Sequence, residues 1–340
     1  MIITYLILMF AVSVVNLFIL YYLFPKKRLN AYYTSIFHFL IVAQLGHVFL
    51  ALSTNIEEAL LANKIAYIGA AFFPMLAFLG VLDVCQIKVS RKIYTLLFLP
   101  SLFVFATACT AGFLPWYYIS AKYVVTMGVG NFEAEFGPLH LCFNLMILFY
   151  MFACLGVWFY AFIRKKKVSL YNLAFIAIIG IVCGESFFVS RKLGSDMLVM
   201  PAVYVIIEII LLFMACRMQR YDLSSLIFDE VKKNEKKVAY VSITSAFRYV
   251  GANEKAQTYF PELNYRRIDS ELNDSTEVCK AFREAIVQTM VAENSTHYFH
   301  FGNDSYKCQV ISVSYGGKSS GYLLRIEKVF SVQTLGVVNV

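Results

Sequence analysis

Four ionisable side chains stand inside or at the mouths of long apolar runs in this 340-residue sequence: the carboxylic acids Glu208 and Glu185 and the imidazoles His47 and His140. A charged group within a membrane-spanning helix costs roughly 2.5–3.5 kcal/mol on insertion scales, so each needs a partner, a wet cavity or a function. Two carboxyls and two imidazoles at similar depth can bind a cationic or polar ligand, or change charge with pH as histidine titrates near neutrality. The same groups can equally serve as hydrogen bonds between helices, with the carboxyls held protonated. Asp83 lies near the end of its run, within snorkelling reach of Lys88 and Arg91, and reads as an interfacial anchor.

The elements that must position these residues follow from composition. Hydrophobic residues make up 59% of the chain and charged residues only 15%, well below the quarter or so found in ordinary globular domains. Apolar runs long enough to cross a hydrocarbon core lie at about 2–24, 32–52, 65–86, 93–114, 139–163, 169–190 and 198–216. The first ends in Pro25-Lys26-Lys27-Arg28 rather than a small-residue cleavage site, and so reads as a retained helix and not a signal peptide. From Asp222 onward no run is long enough to span.

The formal charge of +8 belongs to the membrane part: residues 222–340 carry 14 Lys/Arg against 14 Asp/Glu, and residues 1–221 carry 16 against 8. One set of connections holds twelve of those basic residues (among them Lys26, Lys27, Lys88, Arg91, Arg164, Arg217 and Arg220), and the other set only Lys64, Lys122, Arg191 and Lys192. This asymmetry predicts a multi-pass membrane protein with its N-terminus outside and its C-terminal end in the cytoplasm. The basic charge therefore orients loops at the lipid bilayer and gives no groove for nucleic acid. The longest outer connection, about 115–138, is rich in aromatics and glycine and is expected to lie against the membrane, with a role as a lid over an outward pocket as one reading. Six cysteines lie in or beside the apolar runs, and there is no Cys-x-x-Cys pair for zinc or redox work. Cys109 and Cys142 fall near the outer face, which leaves a disulfide between them open.

After the last run, residues 218–237 (MQRYDLSSLIFDEVKKNEKK) contain no Pro or Gly and place Leu223, Ile227 and Val231 four residues apart. This stripe predicts a helix that relays movement from the bundle, pairs with a second copy as a short coiled coil in a homodimer, or serves as a solvated linker. Residues 238–329 read as two short strands, short helices over GANEKAQTYFPEL and RIDSELN, a longer helix over Glu277–Val291 and three strands joined by hairpins. Residues 330–340 are a tail. The expected fold class is thus an all-α seven-helix transmembrane bundle followed by a cytoplasmic α+β domain.

The order of elements in 238–329 resembles the PAS sensor fold. The resemblance is carried by Gly251, Asn253 and Ala256 at the end of the second strand, by Phe260-Pro261-Glu262-Leu263 and by Arg267-Ile268-Asp269. PAS domains can hold flavin or haem. Here the Asn-Cys-Arg-Phe-Leu-Gln segment of photosensory versions is missing and the long helix has no histidine, so no cofactor is expected. His297 and His300 alternate along a strand and read as strand-surface residues.

The whole chain resembles the bacterial seven-helix sensor region at the N-terminus of certain histidine kinases and diguanylate cyclases. Its echoes are KIAYIGAAFFP (Lys64–Pro74), FGPLHLCFN (Phe136–Asn144) and Pro201. Members of that group commonly carry a kinase or cyclase after the PAS part. Here FSVQTLGVVNV follows the last strand, Gly316-Gly317-Lys318-Ser319 reads as a hairpin turn, and no phosphate loop or nucleophile elbow occurs. The lack of those motifs reads as non-enzymatic, and the resemblance implies a receptor of two-component signalling in a bacterial cell membrane. A small-molecule signal would act on His47, His140, Glu185 and Glu208, and a cytoplasmic signalling protein or output domain would be the partner. Two rivals remain: the sensory part of a longer kinase or cyclase, and a small-molecule or proton-coupled transporter using Glu208 and Glu185, although the two halves show no repeat.

Overall fold

The computed structural model describes residues 1–23, 31–87, 89–164, 168–193, 196–234, 238–272, 276–292, 296–315 and 318–329; within these, the side chains of 191–193, 196, 218–234, 292, 314, 315 and 318–320 lie outside the description. Two compact units divide the chain, Met1–Cys216 and Arg217–Val340. In hydrocarbon every backbone polar group must be satisfied within its own segment, so long apolar runs fold as helices. Among the described residues these are α1 (Ile2–Leu23), α2 (Ala31–Leu52), α3 (Ile56–Val84), α4 (Arg91–Cys109), α5 (His140–Arg164), α6 (Leu170–Leu193) and α7 (Asp196–Asn234). All seven are long and apolar enough to cross a membrane.

α3 begins nine residues before the apolar run that announced it, because its start is set by capping. The Asn55 side chain accepts from the Glu58 N–H at 2.9 Å, and the Glu58 carboxylate reaches back to the Thr54 N–H at 2.8 Å. This reciprocal cap nucleates a helix over residues too polar to register as a span. Glu57, Glu58 and Lys64 are therefore helical residues and not loop.

α2 and α3 approach at backbone distance. A Cβ on Gly46 would sit 2.4 Å from the Ala66 nitrogen, and one on Gly69 would sit 2.4 Å from Ala43 Cβ and 2.5 Å from the Phe39 carbonyl. Small residues at both crossing points let two apolar helices gain dispersion contact that lipid cannot match. Elsewhere aromatic polar tips reach across to backbone carbonyls: the Tyr150 hydroxyl donates to Leu97 O, joining α5 to α4, and Trp158 Nε1 donates to Leu173 O at 2.8 Å, joining α5 to α6.

The connection between α4 and α5, expected to lie against the membrane, is an antiparallel hairpin of β1 (Tyr118–Thr126) and β2 (Val129–Phe136). Its two-residue turn, Met127-Gly128, has φ of 53° and 80°, the doubly left-handed geometry that matches strand twist. Tyr123 donates to Ser53 O at 2.7 Å, and a Cβ on Gly130 would lie 2.4 Å from that same oxygen, so the hairpin is seated on the α2–α3 connection. Cys109 and Cys142 are both thiols, with no disulfide between them.

The second unit holds a five-stranded antiparallel sheet in the order β4–β3–β7–β6–β5, from β3 (Ala239–Thr244), β4 (Tyr249–Ala252), β5 (Thr296–Phe301), β6 (Asp304–Tyr315) and β7 (Lys318–Val329). Alternate residues Val241, Ile243, Cys308, Val310, Leu324 and Ile326 form one face and join Phe260 and Phe282 in a core with α8 (Glu254–Tyr259) and α9 (Glu277–Ala292). RIDSELN is not a helix. Glu271 bridges to Arg248, Asp269 takes a φ of 67°, and its N–H donates to Tyr249 O, so the segment returns along β4.

Asn253 ties the two halves of this unit together. Its Oδ1 accepts from the Tyr240 and Ala256 N–H groups, each at 3.0 Å, and its Nδ2 donates to Val238 O at 2.8 Å. Removal of a group that satisfies three buried backbone partners costs about 3 kcal/mol at about 1 kcal/mol per bond. Asn253→Ala is therefore expected to raise amide hydrogen exchange throughout β3, β4 and α8 in the full chain. Burial also lifts the Cys308 thiol to about 12 and moves Cys279 in the same direction, so both stay protonated and inert near pH 8. Alkylation of Cys308 in the native protein should run on the order of a thousandfold slower than after denaturation, and that of Cys279 should also be slowed, read by mass spectrometry.

Candidate functional site

α1 and α7 run side by side in register. The Tyr5 hydroxyl donates to Leu198 O at 2.8 Å near one end, and Asn16 Nδ2 donates to Glu208 Oε2 at 3.1 Å further along. Eleven residues separate the two contacts on α1 and ten on α7, roughly 15 Å of helix in each case. Glu208 thus sits at the middle of its apolar stretch, Met197–Arg217, where hydrocarbon is the alternative to a protein partner.

A second pair of side chains completes the layer. Gln44 of α2 donates through Nε2 to Ser13 Oγ of α1 at 2.6 Å, and Ser13, one helical turn before Asn16, also lies against the Glu208 carboxyl. Burial is nearly total, with relative exposures of 0% for Ser13 and Glu208, 1% for Gln44 and 6% for Asn16. Two acceptors in this dry layer remain without a hydrogen-bond donor, Glu208 Oε1 and Gln44 Oε1. Among the described residues no cationic side chain pairs with the carboxyl. The arrangement can therefore take up a small positively charged or hydrogen-bond-donating species.

The four residues expected to form one cluster divide into three places. His47 belongs beside the polar layer: it lies three residues along α2 from Gln44, and its ring centroid is 6.3 Å from that of Tyr204, which precedes Glu208 by one turn on α7. His140 lies elsewhere, buried under the ends of the hairpin, stacked on Phe136 at 4.0 Å and flanked by Tyr117 at 5.0 Å and Phe143 at 6.1 Å. It packs as one ring in an aromatic cluster. Glu185 is on an exposed face of α6, in a helical row with Ile178, Ile181 and Phe188. Leu223, Ile227 and Val231 lie within α7, with their side chains outside the described residues.

Ser13, Asn16, Gln44 and Tyr204 are the members that a search for charges overlooks. Asn16 and Gln44 were visible as amides inside apolar runs, where an uncharged polar group carries the same obligation to find a partner as an ion, at lower cost.

This architecture is that of a polytopic seven-helix membrane protein with a C-terminal α+β domain. Residues 8–226 match the family model of the N-terminal 7TM region of histidine kinase, and the chain belongs to that family. No match was found among curated proteins or solved structures.

The layer predicts an asymmetry between two polar substitutions. Asn16→Ala strands the carboxyl in hydrocarbon and should destabilise the bundle by about 1–2 kcal/mol. Glu185→Gln on the exposed face of α6 should change stability by less than about 0.5 kcal/mol. Thermal unfolding of the full chain in lipid nanodiscs reads both.

Proposed function

We propose that this chain is a membrane sensor whose bundle detects an extracellular or membrane-borne signal and relays it through α7 to a cytoplasmic PAS-like domain that acts by protein contact. The observation that carries the reading is the continuity of α7 in a member of a histidine kinase sensor family: one helix holds Glu208 at its membrane midpoint and runs on to Asn234. The sequence places a span at about 198–216 and a helical stripe over 218–237 continuing out of it. With no Gly or Pro after Pro201, nothing in the chain interrupts it.

The signal requires only that a ligand bind two arrangements of the bundle with different affinity. Glu208 and His47 are the groups nearest the helix that would carry the change, and the basic-residue asymmetry supports a cytoplasmic position for the domain beyond it. A signalling protein contacting that domain is the partner of this reading, with a second copy of the chain paired along the Leu223–Ile227–Val231 stripe; neither a bound cofactor nor nucleic acid has a role in it.

Asn16→Ala, a change confined to the bundle, is expected to alter hydrogen-exchange protection within residues 239–329 of the full chain in nanodiscs. Identical protection in wild type and variant, with the bundle itself measurably loosened, overturns the relay.

A further inference from the structure

We infer that the layer formed by Ser13, Asn16, Gln44 and Glu208 is a binding site for a small monovalent cation, a proton or a sodium ion, which rests on the sensor reading above for its consequence but not for its existence. An isolated carboxylate cannot remain charged in hydrocarbon; it either takes up a proton or holds a counter-ion. Glu208 is fully buried and its partners are Asn16 and Ser13, both neutral. Ser13 and Asn16 on α1 meet the carboxyl, and Gln44 on α2 joins it through its bond to Ser13. His47 on α2 and Tyr204 on α7 lie about one turn from Gln44 and Glu208, with their rings 6.3 Å apart.

The layer holds three oxygens, Glu208 Oε1, Gln44 Oε1 and Ser13 Oγ, linked through the Gln44–Ser13 bond and the contact of Ser13 with the carboxyl. The first two have no donor, and the third already accepts from Gln44 Nε2 while sitting against the carboxyl. Carboxylate, amide and hydroxyl oxygens are the ligands that hard cations prefer. Charge then selects the valence. One carboxylate cancels one positive charge, whereas a divalent ion would leave a net charge at the centre of the membrane. In the proton-bound form Glu208 is a neutral carboxylic acid, so a proton on Oε1 removes the buried charge and turns an unpartnered acceptor into a donor.

The site spans α1, α2 and α7, so its occupancy bears on whether α7 stays attached to its neighbours. An empty site leaves an uncompensated anion there, and an occupied one a neutral, bonded layer.

Infrared difference spectroscopy of the full chain in nanodiscs tests this, with pH stepped between about 5 and 9 in choline chloride and then in sodium chloride at equal ionic strength. The expected result is a protonated-carboxyl band that titrates with pH and is absent from Glu208→Gln. If sodium is an occupant, it competes with the proton, and each tenfold rise above its dissociation constant lowers the midpoint of that band by about one pH unit. A midpoint indifferent to sodium identifies the proton as the occupant. No Glu208-dependent band that changes with either pH or sodium overturns the site. Should Glu208→Gln fail to fold, Gln44→Leu keeps the carboxyl and removes one acceptor and the donor to Ser13. A midpoint and sodium response identical to wild type would then overturn the proposed layer. The band reports only the bundle: a titrating Glu208 with an unresponsive C-terminal domain leaves the cation site standing and removes the relay, while the reverse result does the opposite.

Discussion

A carboxyl group at the midpoint of a membrane-spanning helix must be answered by its neighbours, and the hydrogen bond from Asn16 to Glu208 is that answer. Hydrocarbon offers Glu208 nothing, so the positions of α1 and α7 are fixed relative to each other by the need to keep the bond closed. Gln44 and Ser13 extend the constraint to α2. Apolar packing alone does not specify such a register, because lipid tails compete with every Leu–Leu contact, whereas a buried amide–carboxyl pair has one satisfactory alignment.

The remainder of the bundle is organised differently. Where α2 meets α3, Gly46 and Gly69 bring the backbones together and leave no room even for a methyl group. The hairpin of β1 and β2 is seated on the same pair through Tyr123 and Gly130. Close backbone approach thus joins α2 to α3, while buried polar side chains add to the apolar burial that holds α1, α2 and α7. A structure that must answer a signal benefits from this contrast, since a polar contact is gained or lost as a unit while an interdigitated surface resists displacement.

Much of this was legible in the residues. Apolar run length gave the seven helices, and alternation gave the strands of the C-terminal sheet. The start of α3 was not, because Asn55 and Glu58 act through capping in a stretch that hydropathy scores as loop. The hairpin was missed for a related reason: Met127-Gly128 is a two-residue turn whose first position is not a typical turn residue, and aromatic content drew attention to the membrane surface instead. Glu208 and His47 were picked out by charge, yet their partners Asn16, Gln44 and Tyr204 were not, since sequence shows which residues owe a hydrogen bond but not to whom. Depth along a helix also says nothing of its rotation, and this is why Glu185 and His140, at comparable depth, point to other surroundings.

The length of α7 sets how far a rotation at Glu208 would carry the end of the helix. Some 26 residues separate Glu208 from Asn234, roughly 39 Å of uninterrupted helix. A straight rod pivoting at the carboxyl through about 3° sweeps its far end through about 2 Å, half the width of a side chain. On the sensor reading proposed above, an angular change too slight to disturb the packing of the bundle would be delivered as a displacement that a protein surface can read.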